Sequence, residues 1–128
     1  LIPTVIRRSE LGGLGCFASC DVASGTEIWK MSILNTYIID FDAINNIELG
    51  FIRRYGYMLD KNRLAFTVDN SSFMNHSDSP NVMPLDLSVN NVIGDVLIAS
   101  RPIQHGEELT INYRIFDVRE HYFTKEKK

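Results

Sequence analysis

The spacing of apolar positions along this chain changes several times, and each change marks an element. Thr4-Val5-Ile6-Arg7-Arg8 is rich in β-branched residues and predicts a first strand. Ser9-Glu10-Leu11-Gly12-Gly13-Leu14-Gly15 interrupts it with three glycines in four positions, and Cys16-Phe17-Ala18-Ser19 resumes a strand-like pattern. A glycine loop between two strands reads first as a hairpin. Ser24-Gly25 predicts a turn before a strand from about Thr26 to Met31, and Ser32 to Ile39 is again β-leaning. Ala43, Ile44, Ile47, Phe51, Ile52 and Tyr55 then fall three or four apart. That stripe predicts a helix over about 42–55 with Asp42 as its N-cap, although Gly50 weakens it. Tyr57-Met58-Leu59 and Leu64-Ala65-Phe66-Thr67-Val68 read as short strands around the turn at 60–63. Val96-Leu97-Ile98-Ala99 and the alternating run from Glu108 to Tyr113 add two more. Many short strands punctuated by glycine and proline, with one helix, predict a mostly-β domain of the α+β class.

One stretch breaks the pattern from the polar side. Asn75-His76-Ser77-Asp78-Ser79-Pro80-Asn81 is polar or helix-breaking throughout, yet Phe73-Met74 precede it and Val82-Met83 follow. Taken alone it is a surface turn, since Asn, Ser, Asp and Pro are turn residues. Polar side chains between apolar shoulders nevertheless need partners if the segment is buried.

Composition narrows the classes. A chain of 128 residues is expected to form a single domain over 1–128, with 45% apolar and 23% charged residues. A net charge of −3 argues against a general nucleic-acid binder, whose footprint is a basic patch. No apolar run reaches the roughly eighteen residues of a membrane helix, and no signal-peptide pattern is visible. Cys16 and Cys20 suit neither a disulfide framework nor a zinc site, so no metal is expected and an intracellular setting fits. Leu1 in first place suggests a trimmed or excised domain.

Familiar chemistries are excluded by context. The glycine loop is neither a P-loop nor a dinucleotide fingerprint, because no Gly-Lys-Ser/Thr follows and no helix opens after it. His76 has no ligand spacing with His105 or His121, and no nucleophile elbow accompanies Ser77 and Asp78. A hydrolase is therefore disfavoured.

Three blocks stand in order: Gly13-Leu14-Gly15, then Phe73-Met74-Asn75-His76-Ser77 with Pro80-Asn81, then Gly106-Glu107-Glu108-Leu109-Thr110-Ile111-Asn112-Tyr113. In that order the chain resembles a SET domain, the fold of protein-lysine methyltransferases, from about Val5 to Tyr113. The resemblance implies a β-clip of several small curved sheets, a short helical insert at 42–55 and a knot-like threading near the C-terminal block. It implies S-adenosylmethionine as cofactor and methyl transfer to a protein lysine ε-amine, on a histone tail or another protein. A homodimer is left open.

The resemblance also assigns roles. Gly13, Leu14 and Gly15 would hold the methionine end of the cofactor. Asn75 and His76 would meet it through side chain and backbone, with Phe73, Tyr113 and Phe116 as further cofactor-side residues. Tyr113 and Tyr57 would be the tyrosines of the transfer centre, and Phe66 would join them along the lysine channel. Asn112 departs from the family, standing where an acidic residue is common, and Asp78 stands where cysteine is frequent. No cysteine follows Tyr113, so Phe116, Tyr122 and Phe123 in the tail at 114–128, or a partner, would have to close the channel. Compact members of this kind occur in viruses and bacteria. The alternative is a catalytically silent SET-like module that binds peptides or partners.

Overall fold

The computed structural model describes residues 1–48, 50, 56–58, 61–85 and 96–116, with 57, 58, 115 and 116 by backbone alone. Its regular elements are mostly strands: β1 Thr4–Arg8, β2 Leu14–Ala18, β3 Glu27–Lys30, β4 Thr36–Asp40, β5 Gly56–Met58, β6 Arg63–Thr67, β7 Asn75–His76, β8 Val82–Pro84, β9 Val96–Ala99 and β10 Glu108–Ile111. Among the described residues they form three small sheets, ordered β1-β2-β10-β7, β3-β9-β8 and β4-β6-β5. The mostly-β expectation holds.

The glycine loop is the hairpin the pattern predicts, with Thr4 opposite Ala18 and Arg8 opposite Leu14. β10 then carries the sheet onward. Its first half pairs antiparallel with β2, Leu109 opposite Cys16, and its second half pairs parallel with β7, Ile111 opposite His76. A parallel neighbour cannot follow directly by a tight turn, so the chain between β7 and β10 builds β8 and β9 in another sheet first.

Alternation explains the core. Cys16 and Ala18 of β2, Leu97 and Ala99 of β9, and Leu109 and Ile111 of β10 all point into one cluster with Ile28, Trp29, Met74, Val82 and Ile103. Phe73 packs against its margin. Trp29 satisfies its indole N–H on Asp69 Oδ2 at 2.9 Å, and Asp69 also accepts from the N–H of Ser71 to cap the 3-10 turn Asn70–Phe73. A second cluster joins Ile44 and Leu64 to Ile39, Phe41 and Phe66, beneath the β4-β6-β5 sheet. The entry to β10 is held by Glu107, whose carboxyl is kept below its ordinary range by the Gln104 N–H and, further, by Arg101.

Two local expectations are corrected. The insert predicted as one helix over 42–55 begins as a separate 3-10 turn, Phe41–Ala43, and helix appears at 46–48 and 50. Asp42 is not its cap. Asn45 accepts from the Glu48 N–H at 2.8 Å while Glu48 accepts from the Asn45 N–H at 2.9 Å, a reciprocal capping box. Ile47 is 87% exposed, so the apolar stripe does not face the core there, and residues 51–55 lie outside the described residues. The β-leaning run from Ser32 becomes strand only at Thr36, because Asn35 Oδ1 takes the Ser32 N–H and its Nδ2 donates to the Lys30 carbonyl, closing a turn.

Cys16 has no exposed surface, and burial pushes its thiol up from 9.0 to about 11. The folded state therefore keeps a proton that the unfolded thiol sheds. The stability tied to Cys16 is complete below about pH 9 and is lost as pH rises toward about 11. In folded protein at pH 8, iodoacetamide is expected to label the partly exposed Cys20 and to spare Cys16, with both labelled in denaturant. Intact-mass measurement of one versus two adducts checks it.

Candidate functional site

The site grows from the place where β10 changes neighbours. Up to Leu109 it lies beside β2 and the glycine loop, and from Thr110 it lies beside β7. The three sequence blocks, far apart in the chain, meet along this one strand.

The glycine loop is shaped from within. Ser9, 7% exposed, donates its N–H to the Gly13 carbonyl at 2.9 Å and accepts the Leu11 N–H on its hydroxyl oxygen at 2.9 Å. Gly13 sits at φ 59°, in the left-handed region, with open space where a Cβ would stand. Gly15 answers to a different demand. A Cβ there would fall 2.3 Å from Glu108 Oε2 and 3.1 Å from the Ser9 Cβ, so its bare backbone makes room for the glutamate. Leu14 between them is half exposed and turns its carbonyl toward β7.

Asn75 is fixed from both sides. Its Nδ2 donates to the Leu14 carbonyl at 3.0 Å and to Glu108 Oε2 at 2.7 Å, while Glu108 Oε1 accepts the Ser9 hydroxyl at 2.6 Å. Both amide protons are thereby used. Two residues on, Ser77 donates its N–H to the Ile111 carbonyl at 2.9 Å, so strand alternation turns the N–H and C=O of His76 to the opposite edge of β7.

The His76 ring is used as well. Nδ1 accepts the Tyr113 N–H at 3.1 Å, which requires the proton to sit on Nε2, and Nε2 faces Asp78 Oδ1 at 2.9 Å. Arg114 reaches the same Asp78 oxygen at 3.5 Å. The ring thus starts the helical turn Tyr113–Phe116 and packs 5.4 Å from the Tyr113 ring, centroid to centroid. Tyr113 donates its hydroxyl to the Met74 carbonyl at 2.5 Å, which brings the phenol back over the residue preceding Asn75.

His76→Asn keeps an acceptor close to the Nδ1 position, whereas His76→Ala removes it. The alanine variant is expected to lose about 1 kcal/mol, the worth of an N-cap, with the asparagine variant within a few tenths of the parent. Urea unfolding midpoints check the difference.

Of the residues expected from sequence, the structure gathers Gly13, Leu14, Gly15, Asn75, His76 and Tyr113 around the β2-β10-β7 junction. Phe73 packs on the main core, and Phe66 packs in the second cluster with its ring 5.3 Å from Tyr37. Tyr57 lies on β5 opposite Ala65, beside the strand that carries Phe66. The side chains of Tyr57 and Phe116, and all of Tyr122 and Phe123, lie outside the described residues. Ser9, Glu108 and the Met74 carbonyl were not anticipated. The one available signal was Ser9-Glu10 opening a glycine loop, and it does not announce a partner 99 residues away. Among the described residues no group of three or more His, Cys, Asp or Glu is arranged to hold a metal ion, and no helix is long and apolar enough to cross a membrane.

Comparison with known proteins agrees with this geometry. The histone-lysine N-methyltransferase trr of Drosophila melanogaster is 26% identical over 120 residues, covering 90% of this chain. The chain spans 5% of the length of that relative. A Plasmodium falciparum structure assigned as a histone methyltransferase superposes with a TM-score of 0.64 at 25% identity, over 88% of this chain and 94% of that one. The Chaetomium thermophilum Polycomb Repressive Complex 2 bound to GSK126 shares the fold, with a TM-score of 0.69 at 22% identity over 96% of this chain and 17% of that one. The SET domain family profile matches residues 13–114, from the second loop glycine to the residue after Tyr113. The chain belongs to the SET-domain family.

Proposed function

We propose that the chain transfers a methyl group from S-adenosylmethionine to the ε-amine of a protein lysine. The observation that carries this reading is the Tyr113 hydroxyl, held on the Met74 carbonyl directly beside the outward edge of β7. Lysine methylation as the general chemistry is supported by family membership and by the trr relative.

The residues fit the cofactor. Around Gly12 and Gly13, at φ 115° and 59°, nothing stands within 4 Å of where a Cβ would be, so a ligand can approach the loop backbone. Across from it, Asn75 has spent both amide protons and keeps Oδ1 as an acceptor. Beside it, His76 directs a main-chain donor and acceptor to the same outer edge. When bound, S-adenosylmethionine supplies an already activated methyl on a sulfonium centre.

What the chain must do is mostly arrangement. Gly13, Leu14 and Asn75 would grip the amino-acid end, and the His76 backbone the adenine end. Tyr113, whose proton is committed to the Met74 carbonyl, acts by position and not as a base. Its oxygen can orient an incoming amine and make weak C–H···O contacts to a polarised methyl. A lysine near pKa ~10.4 arrives charged, so its proton must be shed before transfer, and desolvation within the channel lowers its pKa. Tyr57 on β5 is the second tyrosine proposed for that channel. Holding amine and methyl in line accounts for the largest share of the acceleration, as intramolecular positioning does elsewhere.

Incubation with radiolabelled S-adenosylmethionine and a panel of lysine-bearing proteins, histones included, tests the reading. Label is expected on lysine in at least one of them. Tight cofactor binding by calorimetry with transfer to none would favour the silent partner-binding module instead.

A further inference from the structure

We infer that Glu108 is a positioning residue for the cofactor's α-ammonium, acting through the Asn75 amide. The inference rests on the proposed cofactor reading and extends it to a residue one layer behind the ligand.

An asparagine amide can turn end for end, offering either its oxygen or its NH2 to a ligand. Here the choice is made by acceptors: the Leu14 carbonyl takes one Nδ2 proton and Glu108 Oε2 takes the other. A flipped amide would set Oδ1 against a carboxylate oxygen and a carbonyl oxygen at once. Oδ1, which makes no hydrogen bond among the described residues, is therefore the atom left to face a ligand. An acceptor suits a cation, and the cofactor's amino-acid end carries an ammonium.

Glu108 is itself held so that it can impose this. Ser9 donates to its other oxygen at 2.6 Å, and the glycine at position 15 leaves the space its carboxylate occupies. Among the described residues its side-chain hydrogen-bond partners are the Ser9 hydroxyl and the Asn75 amide, neither of them a basic group that would pair with its charge. Its charge polarises the Asn75 amide, strengthening Oδ1 as an acceptor, since linked hydrogen bonds reinforce one another. One side chain thus locks the glycine loop, sets the amide and biases the site toward positive charge.

The test uses the whole chain and two probes, S-adenosylhomocysteine and its analogue lacking the α-amino group. Glu108→Gln preserves size but removes the charge and can hold Asn75 correctly in only one of its two amide orientations. Glu108→Ala removes the anchor altogether. Glu108→Gln is expected to weaken S-adenosylhomocysteine about tenfold, and Glu108→Ala up to about 100-fold, the range of a charge-assisted hydrogen bond. Both variants should bind the deaminated analogue within about threefold of the parent. Equal losses on the two probes would reduce Glu108 to a general structural role and overturn the inference, as would no loss on either. If the alanine variant fails to fold, the near-isosteric Gln variant still decides. A parent protein that binds neither probe would sink the cofactor reading itself, a result distinct from a parent that binds both and a variant that does not discriminate.

Discussion

Tyr113→Phe is expected to lower the rate of methyl transfer by about 100- to 1000-fold, the size of effect seen when one preorganised polar group is removed from a reacting centre. The substitution is narrow. The ring remains, with its packing 5.4 Å from the His76 ring, and so does the main-chain bond from Tyr113 N–H to Nδ1. What disappears is one hydroxyl and its bond to the Met74 carbonyl. Because Tyr113 is 39% exposed, water can replace that donor, and the stability cost should stay near 1 kcal/mol. The cofactor grip lies on Gly13, Leu14, Asn75 and the His76 backbone, so affinity for S-adenosylmethionine should change by less than about threefold. Single-turnover rates beside calorimetric affinities and thermal melts check the split. A variant that methylates at the parental rate would remove Tyr113 from the transfer centre. One whose affinity falls as far as its rate would make it a cofactor contact instead.

Alternation made the longer strands legible before any coordinates. β1, β2, β3, β6 and β9 fall within a residue or two of where the β-branched and apolar runs place them. The polar stretch at 75–81 was recognisable only through its company, because the strand within it, β7, has two residues and is too short to carry a period. β7 is strand because β10 offers it a parallel edge, a tertiary reason that no local window contains. The start of the insert's helix was misplaced for a different cause. Asn45-Asn46-Ile47-Glu48 carries a capping-box signature, and the apolar stripe starting at Ala43 drew the helix start three residues too early. Glu108 shows the limit most clearly. In the sequence it is one acidic residue before an apolar strand, whereas its carboxylate joins Ser9 and Asn75 from positions 99 and 33 residues away. A resemblance to a family supplied the order of the blocks, and only the folded chain shows what ties them together.

The second large effect concerns Asn81, which the sequence offered as part of a turn and the structure buries to 2% exposure. Its side chain takes the place of a strand neighbour for β10. Nδ2 donates to the Glu108 carbonyl at 2.8 Å and Oδ1 accepts the Thr110 N–H at 2.9 Å, while its own carbonyl accepts from Ser100 N–H at 2.9 Å. These contacts fall where β10 passes from β2 to β7, on backbone groups that neither strand satisfies. Asn81→Ala leaves a buried donor and a buried acceptor unpaired, each costing about 1–3 kcal/mol, so a total near 3–4 kcal/mol is expected. Against the roughly 5–15 kcal/mol of a typical domain, that is a severe loss. Asn81→Asp should do no better: it restores the acceptor for Thr110 but turns a second oxygen, and a buried charge, on the Glu108 carbonyl. Because β10 carries Glu108 at one end and leads into Tyr113 at the other, cofactor affinity should fall together with the urea midpoint in both variants. A loss below about 1 kcal/mol for Asn81→Ala, within the ordinary range of surface substitutions, would mean that β10 holds its register without the amide.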